Sequence, residues 1–207
     1  MSVSIREVGQ DQEAQDLREE MERRVALATV SDTVRGLLFL GTLESVKALG
    51  GQAGVEACLE VAGEPRFVEF FNYPVGTYLR VNDVAARVLA PLCGGWEEAQ
   101  RRLGRQSMGG MLKSATGRAL VLVSRGQPRQ LVGNLPSAYR AAVNFGERTV
   151  TWEGPSRGRV LMRRDFLPCA YHEGVLLAAL EGLKVSAPQV RGQRLGELDS
   201  EYLVSWG

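Results

Sequence analysis

His172 is the chain's one histidine, and with Cys58, Cys93 and Cys169 it bounds the chemistry available. Cys169 stands three residues before His172, the residue types of a nucleophile and its base. No GxSxG elbow accompanies them to present a serine instead. The plainer reading makes both of them packing or loop residues where a helix starts. Zinc would need His172 together with distant thiolates or carboxylates, and no ligand spacing supports that. The cysteines are odd in number, far apart and without a CxxC pair. That argues against a disulfide framework and a thiolate metal site and for a reducing, cytoplasmic setting. The expectation is therefore no catalytic residue, no metal and no cofactor. An imidazole titrates near neutrality, which suits His172 to sensing better than to catalysis.

The remaining chemistry-bearing types are arginines, aromatics and glycines. Arg157, Arg159, Arg163 and Arg164 form a basic stretch. Strand alternation places Arg159 and Arg163 on one face, with Val160, Met162 and Arg164 on the other. Such forks suit a carboxylate or phosphate, although a solvated sheet face explains them as simply. The 24 glycines contain neither GxxxxGK[ST] nor a strand-led GxGxxG, so they act as helix stops rather than a phosphate cradle. Phe67, Phe70, Phe71, Tyr73 and Tyr78 read as core.

The elements that must position these residues are mostly helical up to residue 145. Leu17, Met21, Val25 and Ala28 recur at helical spacing and predict a helix from about Asp11 to Ala28. Ser31 or Asp32 caps the next helix, which Gly50-Gly51 ends. Further helices are expected over Gln52–Ala62, from Glu64-Pro65, over Val75–Leu92 after an Asn72-Tyr73-Pro74 break, and over Trp96–Leu103, Ser107–Ser114, Gly117–Ser124, whose valines would also suit a strand, and Pro128–Leu135. The pattern then changes. Thr149–Trp152 and Arg159–Asp165 predict a hairpin. An apolar helix follows from His172 to Leu183, and strands over Lys184–Arg191 and Ser200–Trp206 close the chain. The fold class is α+β, with an N-terminal helical layer followed by a C-terminal ββαββ antiparallel sheet. Residues 1–28 read as a charged helical extension and 29–207 as a single ligand-binding-like domain.

The bulk numbers exclude several function classes. A length of 207 residues suits one domain with an extension, and 44% hydrophobic composition is ordinary for a globular protein. The first 24 residues carry a charge of −3 and the rest +4, for a total of +1. No global field draws the chain to nucleic acid or an acidic membrane. The start MSVSIREVGQ lacks an apolar signal region, and no apolar run reaches transmembrane length.

Three stretches carry a resemblance: DTVRGLLFLGTLESVKALGG from Asp32, NLPSAYRAAVNFGERTVTWEGPSRGRVLMRRDFLP from Asn134, and AYHEGVLLAALEGL with the closing LDSEYLVSW. From about Leu27 to the C-terminus they resemble a paralogous family of uncharacterised myxobacterial proteins. More distantly, strand, strand, apolar helix, strand, strand is similar to the end of haem-NO-binding domains. Those domains share a superfamily with 4-vinyl-reductase-type domains and TRAPP subunits. In the haem proteins an Asn-Leu-His segment supplies the axial ligand, and a Tyr-x-Ser-x-Arg strand grips the propionates. The matching segment here is Asn134-Leu135-Pro136, and the matching strand carries Leu161, Arg163 and Asp165. Proline has no donor atom for iron and leucine cannot hydrogen-bond a propionate, so the resemblance implies a relative without haem.

The expected function is a regulatory or signalling module that is not an enzyme. It would bind a small apolar or anionic ligand, or a protein partner or second copy. A dimerising adaptor like the TRAPP subunits is the alternative, and an enzyme using Cys169 or His172 stands behind it. A pocket is expected between helical layer and sheet, lined by Phe70, Phe71, Tyr78, Tyr139, Trp152 and Leu161, with Arg163 and His172 as its polar groups.

Overall fold

A computed structural model describes residues 5–207; the first four residues of the expected extension lie outside the described residues. Helix α1 (Ile5–Leu27) is followed by a short strand β1 (Thr33–Arg35), helix α2 (Gly36–Ala62) and a second short strand β2 (Asn72–Pro74). Helices α3 (Val75–Cys93), α4 (Trp96–Lys113), α5 (Ala115–Val123) and α6 (Pro128–Ala142) complete the helical layer. Strands β3 (Glu147–Gly154) and β4 (Arg157–Arg163), helix α7 (Cys169–Gly182) and strands β5 (Gln189–Arg194) and β6 (Ser200–Ser205) complete the chain. The last four strands form one antiparallel sheet in the order β3-β4-β6-β5. The molecule is therefore α+β as its sequence predicts, with helices first and the sheet last.

Local rules explain most of these elements. Helix α2 is broken at Gly51, whose φ of 71° and ψ of −169° lie outside the helical region and suit glycine alone. That break is the boundary Gly50-Gly51 predicts. Helix α5 is capped by Ser114, whose hydroxyl accepts from the Gly117 amide at 3.1 Å. In the sheet Val160 pairs with Tyr202, and both are buried with Met162 and Val204 against α7. Helix α7 is mostly apolar because the sheet and α4 cover it, and its Glu173 and Glu181 pair with Arg101 and Arg105 of α4.

Five expectations are corrected. Residues 64–71 are not a helix. Phe67 stacks on Phe39 at 4.0 Å, and the Gly36 and Leu37 amides donate to the Phe71 and Glu69 carbonyls, so tertiary contacts hold this segment open. The helix expected to start at Asp32 begins at Gly36, because Thr33–Arg35 pair antiparallel with Asn72–Pro74. Asp32 accepts from the Thr29 amide at 2.8 Å and takes the fork of Arg164 at 2.7 and 2.8 Å, which ties this turn to the end of β4. Arg164 sits at φ 51°, so it leaves the strand and does not share a face with Val160 and Met162. The helices expected at 96–103 and 107–114 are one helix, and α6 continues through Pro136 to Ala142.

Helices α4 and α7 cross with unusually close backbones. A Cβ on Gly104 would lie 1.9 Å from the Tyr171 carbonyl oxygen, and one on Gly174 would lie 1.9 Å from that of Arg101. Gly104 therefore does not stop a helix; it lets α7 approach, and this crossing sets where Tyr171 and His172 stand.

Helix α1 is fastened across the junction of the two halves. Arg24 is buried; it forks Glu20 at 2.7 and 2.9 Å and donates from Nη1 to the carbonyls of Asp165, Phe166 and Leu167 at 3.4, 3.3 and 3.2 Å. Arg24→Ala is expected to destabilise the chain by about 2 kcal/mol, the cost of leaving charge-assisted acceptors unpaired. Denaturant titration measures that loss. Limited proteolysis should show cleavage in α1 well before the rest; equal protection in variant and parent would refute the fastening role.

Candidate functional site

Helices α2, α4, α6 and α7 and the 143–148 segment converge on a cavity of about 50 Å³. Its walls are Leu37, Leu38, Met108, Met111, Leu135, Ala138 and Val175, and its floor is Tyr139, Arg148, Tyr171 and His172. A wider vestibule of about 310 Å³ shares Leu37, Met111, Ala138 and Ala142 with the cavity and is bounded outside by Arg35, Glu69 and Phe70. The chamber is thus an apolar pocket with a few convergent polar groups, the arrangement typical of small-molecule sites.

The floor is a buried polar network. The Leu167 amide donates to Asp165 Oδ1 at 3.0 Å, and His172 Nε2 lies 2.8 Å from that oxygen. Arg148 Nη2 pairs with Asp165 Oδ2, while its Nη1 donates to the Phe145 carbonyl at 2.6 Å. The Arg148 guanidinium lies 4.7 Å from the centre of the Tyr139 ring, a cation–π contact. The Tyr139 hydroxyl lies 2.9 Å from His172 Nδ1. Asp165 only accepts, so His172 Nε2 carries a proton. In the neutral ring Nδ1 accepts from the Tyr139 hydroxyl, and in the imidazolium it donates to it. Both ring nitrogens are engaged in either state.

Electrostatics follow from this packing. Burial alone would raise the Asp165 pKa, but the His172 and Arg148 charges and the hydrogen bonds it accepts outweigh burial and hold it below the ordinary carboxylate range. Burial, with the Asp165 charge nearby, pushes the Tyr139 hydroxyl well above its usual value. A second chain of hydroxyls backs the first: Thr42 to Tyr78 at 3.1 Å and Tyr78 to Tyr171 at 3.1 Å. Tyr171 and Tyr202 stand edge-on to the His172 ring, with centroids at 5.6 and 5.9 Å.

Tyr139–His172–Asp165 has the connectivity of a catalytic triad but not its chemistry. Tyr139 is held in its neutral form, the opposite of an activated nucleophile. The Cys169 thiol is likewise pushed up by burial, which disfavours the reactive thiolate. Among the described residues no group of three histidine, cysteine or carboxylate side chains converges to hold a metal ion.

Of the residues singled out in the sequence, the structure brings Tyr139 and His172 together in the cavity. Tyr78 is fully buried one step behind, bonded to Tyr171. Phe70 is on the vestibule rim and 70% exposed, and Phe71 is exposed beside it. Trp152 lies under Arg129 and against Trp206. Leu161, paired with Thr149 and Glu201, and Arg163 alternate with the buried Val160 and Met162 and so face away from α7. Sequence reasoning passed over Arg148, Met108 and Met111. One signal was available for Arg148: in β3 it shares a face with Val150 and Trp152, and a charge on the apolar face of a strand calls for a buried partner.

The Fe(II) unliganded H-NOX protein from K. algicida superposes with a TM-score of 0.66 at 11% identity, covering 84% of this chain and 96% of that one. The H-NOX protein from S. oneidensis in the Fe(II)NO ligation state gives 0.65 at 12% identity, covering 84% and 99%. At such identities the likeness is one of fold. No protein of curated function matches the sequence. The family of proteins of unknown function DUF2378 matches residues 27–207, and this chain belongs to that family.

Proposed function

We propose that this chain is a non-enzymatic sensor module on an H-NOX-like fold, which binds a small ligand without haem and reports it to a protein partner. The observation that carries this reading is the apolar cavity floored by Tyr139, Arg148, Tyr171 and His172, with Asp165 bonded behind His172 and Arg148. The residues present do not fit haem. Both nitrogens of His172 are engaged, so iron would have to break a buried hydrogen bond to gain an axial ligand. A cavity of about 50 Å³ is far smaller than a porphyrin ring. Pro136 lies inside α6 and has no donor atom to offer.

Residues 1–28 act in this reading as an extension on the 29–207 domain, and α1 is suited to the output. Arg24 grips the backbone of the segment carrying Asp165, so a change at the cavity floor alters the docking of α1. No helix of the described residues is long and apolar enough to cross a membrane.

Expression with excess haem precursor should yield protein without a Soret band, while native mass spectrometry shows a small co-purified molecule lost on denaturation. Stoichiometric haem that survives gel filtration and disappears in His172→Ala would overturn the haem-free reading. A second reading, a dimerising adaptor, draws on Phe70, Phe71, Leu122 and Val123, exposed by 70, 63, 77 and 66%. Ligand-free protein that dimerises through these residues would favour it instead.

A further inference from the structure

The cavity and its vestibule differ in what they offer a ligand. In the cavity the polar groups partner one another: Tyr139 with His172, His172 with Asp165 behind it, and Tyr171 with Tyr78 and Ser107. Arg148 Nε has no partner but no exposed surface either, being shielded beside the rings of Tyr139 and Phe145 at 4.7 and 5.6 Å. A polar ligand group entering here would give up water for at most a contact with the Ser107 hydroxyl. An alkyl end would lose nothing and would contact Leu38, Met108 and Leu135.

The vestibule has the opposite character at its mouth. Arg35 spends one donor on the Phe70 carbonyl, at 2.5 Å. Among the described residues it has no carboxylate partner, so most of its fork is free at the rim. Glu69 shares that rim and opposes an anionic head in proportion to its charge, so a singly charged head suits Arg35 best. The vestibule, at about 310 Å³, lies at the small end of ligand sites, too narrow for a two-chain lipid.

We infer that the site takes a single-chain amphiphile with a carboxylate head, tail inward among Leu38, Met108 and Leu135 and head outward on Arg35. This rests on the reading of the chain as a ligand-binding module and names the ligand class.

Calorimetry of the full chain with hexanoate, octanoate, decanoate and decanol tests it. Affinity should rise roughly fourfold per added methylene until the cavity is full. Decanoate should bind about tenfold more tightly than decanol, and Arg35→Gln should remove that preference. Ala142→Trp, at the junction of the two chambers, should abolish binding; Ala141→Trp, exposed on the vestibule wall, gives a second block that leaves the core untouched. Equal binding of decanol and decanoate, no dependence on chain length, or full binding to both tryptophan variants would each overturn the inference. If a different molecule co-purifies and the tryptophan variants lose it, the amphiphile assignment falls while the module reading stands. If nothing co-purifies and no probe binds, both fall.

Discussion

Asp165→Asn is expected to destabilise the protein by about 3–5 kcal/mol, because it leaves Arg148 as a buried, uncompensated cation. The side chains of Arg148 and Asp165 are 4% and 1% exposed, so water cannot replace the lost partner. Asparagine keeps one oxygen for the Leu167 amide and His172 but turns an NH2 donor toward Arg148 Nη2, so the charge and the acceptor of Arg148 are lost together. For a chain of this size the melting temperature should fall by roughly 10 °C. Asp165→Asn combined with Arg148→Met should cost less than the sum of the single changes, since the second removes the charge that the first strands. Strict additivity would show that the pair is not coupled. Asp165 also has a pH signature. Its folded pKa lies below the ordinary value of 3.8, so its contribution is complete above about pH 4 and is lost as the pH falls below that. Asp32, lowered to about 2 by the Arg164 fork, adds a loss between about pH 4 and pH 2. Asp165→Asn should flatten part of the acid limb of the stability curve and leave the Asp32 part.

Gly174→Ala is expected to disrupt the fold nearly as much, although it adds one methyl group. The new Cβ would meet the Arg101 carbonyl oxygen at 1.9 Å, with Arg101 Cα at 2.9 Å. These are backbone atoms of a helix and cannot swing aside, so α4 and α7 must separate. Overpacking costs about 1–3 kcal/mol where side chains can adjust and more where they cannot, so about 3 kcal/mol or above is expected. Gly104→Ala should behave alike, with its Cβ 1.9 Å from the Tyr171 carbonyl oxygen. Gly109→Ala in the same helix is the control. Nothing lies within 4 Å of its added Cβ, and alanine is the better helix former by roughly 0.8–1 kcal/mol, so that variant should gain stability. Urea unfolding of the three variants checks the pattern. Similar values for Gly104→Ala and Gly109→Ala would disprove the close crossing. Separation of α7 would also move His172, so Gly174→Ala should weaken ligand binding even where the variant still folds.

The H-NOX-like fold and the DUF2378 membership fit one physical picture. A helical layer and a sheet enclose α7, and the space beside α7 is where the two halves meet. In this chain that space is floored by an ion-paired, hydrogen-bonded set that engages both nitrogens of its histidine. In the proposed reading, that floor favours recognition by shape and apolar contact over metal ligation.

Local physics wrote much of this architecture into the sequence. Apolar spacing marked α3, glycines at 50 and 51 marked the break in α2, strand alternation marked β3 and β4, and a run of apolar residues marked α7. The same residue types placed Tyr139 and His172 among the site candidates. The network around them depends on partners separated by 17 residues for Arg148–Asp165 and 33 for Tyr139–His172, which no local period encodes. Residues 64–71 and the strand pair β1–β2 escaped for the same reason, since Gly36, Leu37 and Phe39 reach the first, and the two strands each other, only after folding. His172 began as a lone histidine with a nearby cysteine. Its partners, and therefore its role, were decided by two glycines that let α7 lie against α4, a close approach that only the tertiary structure displays.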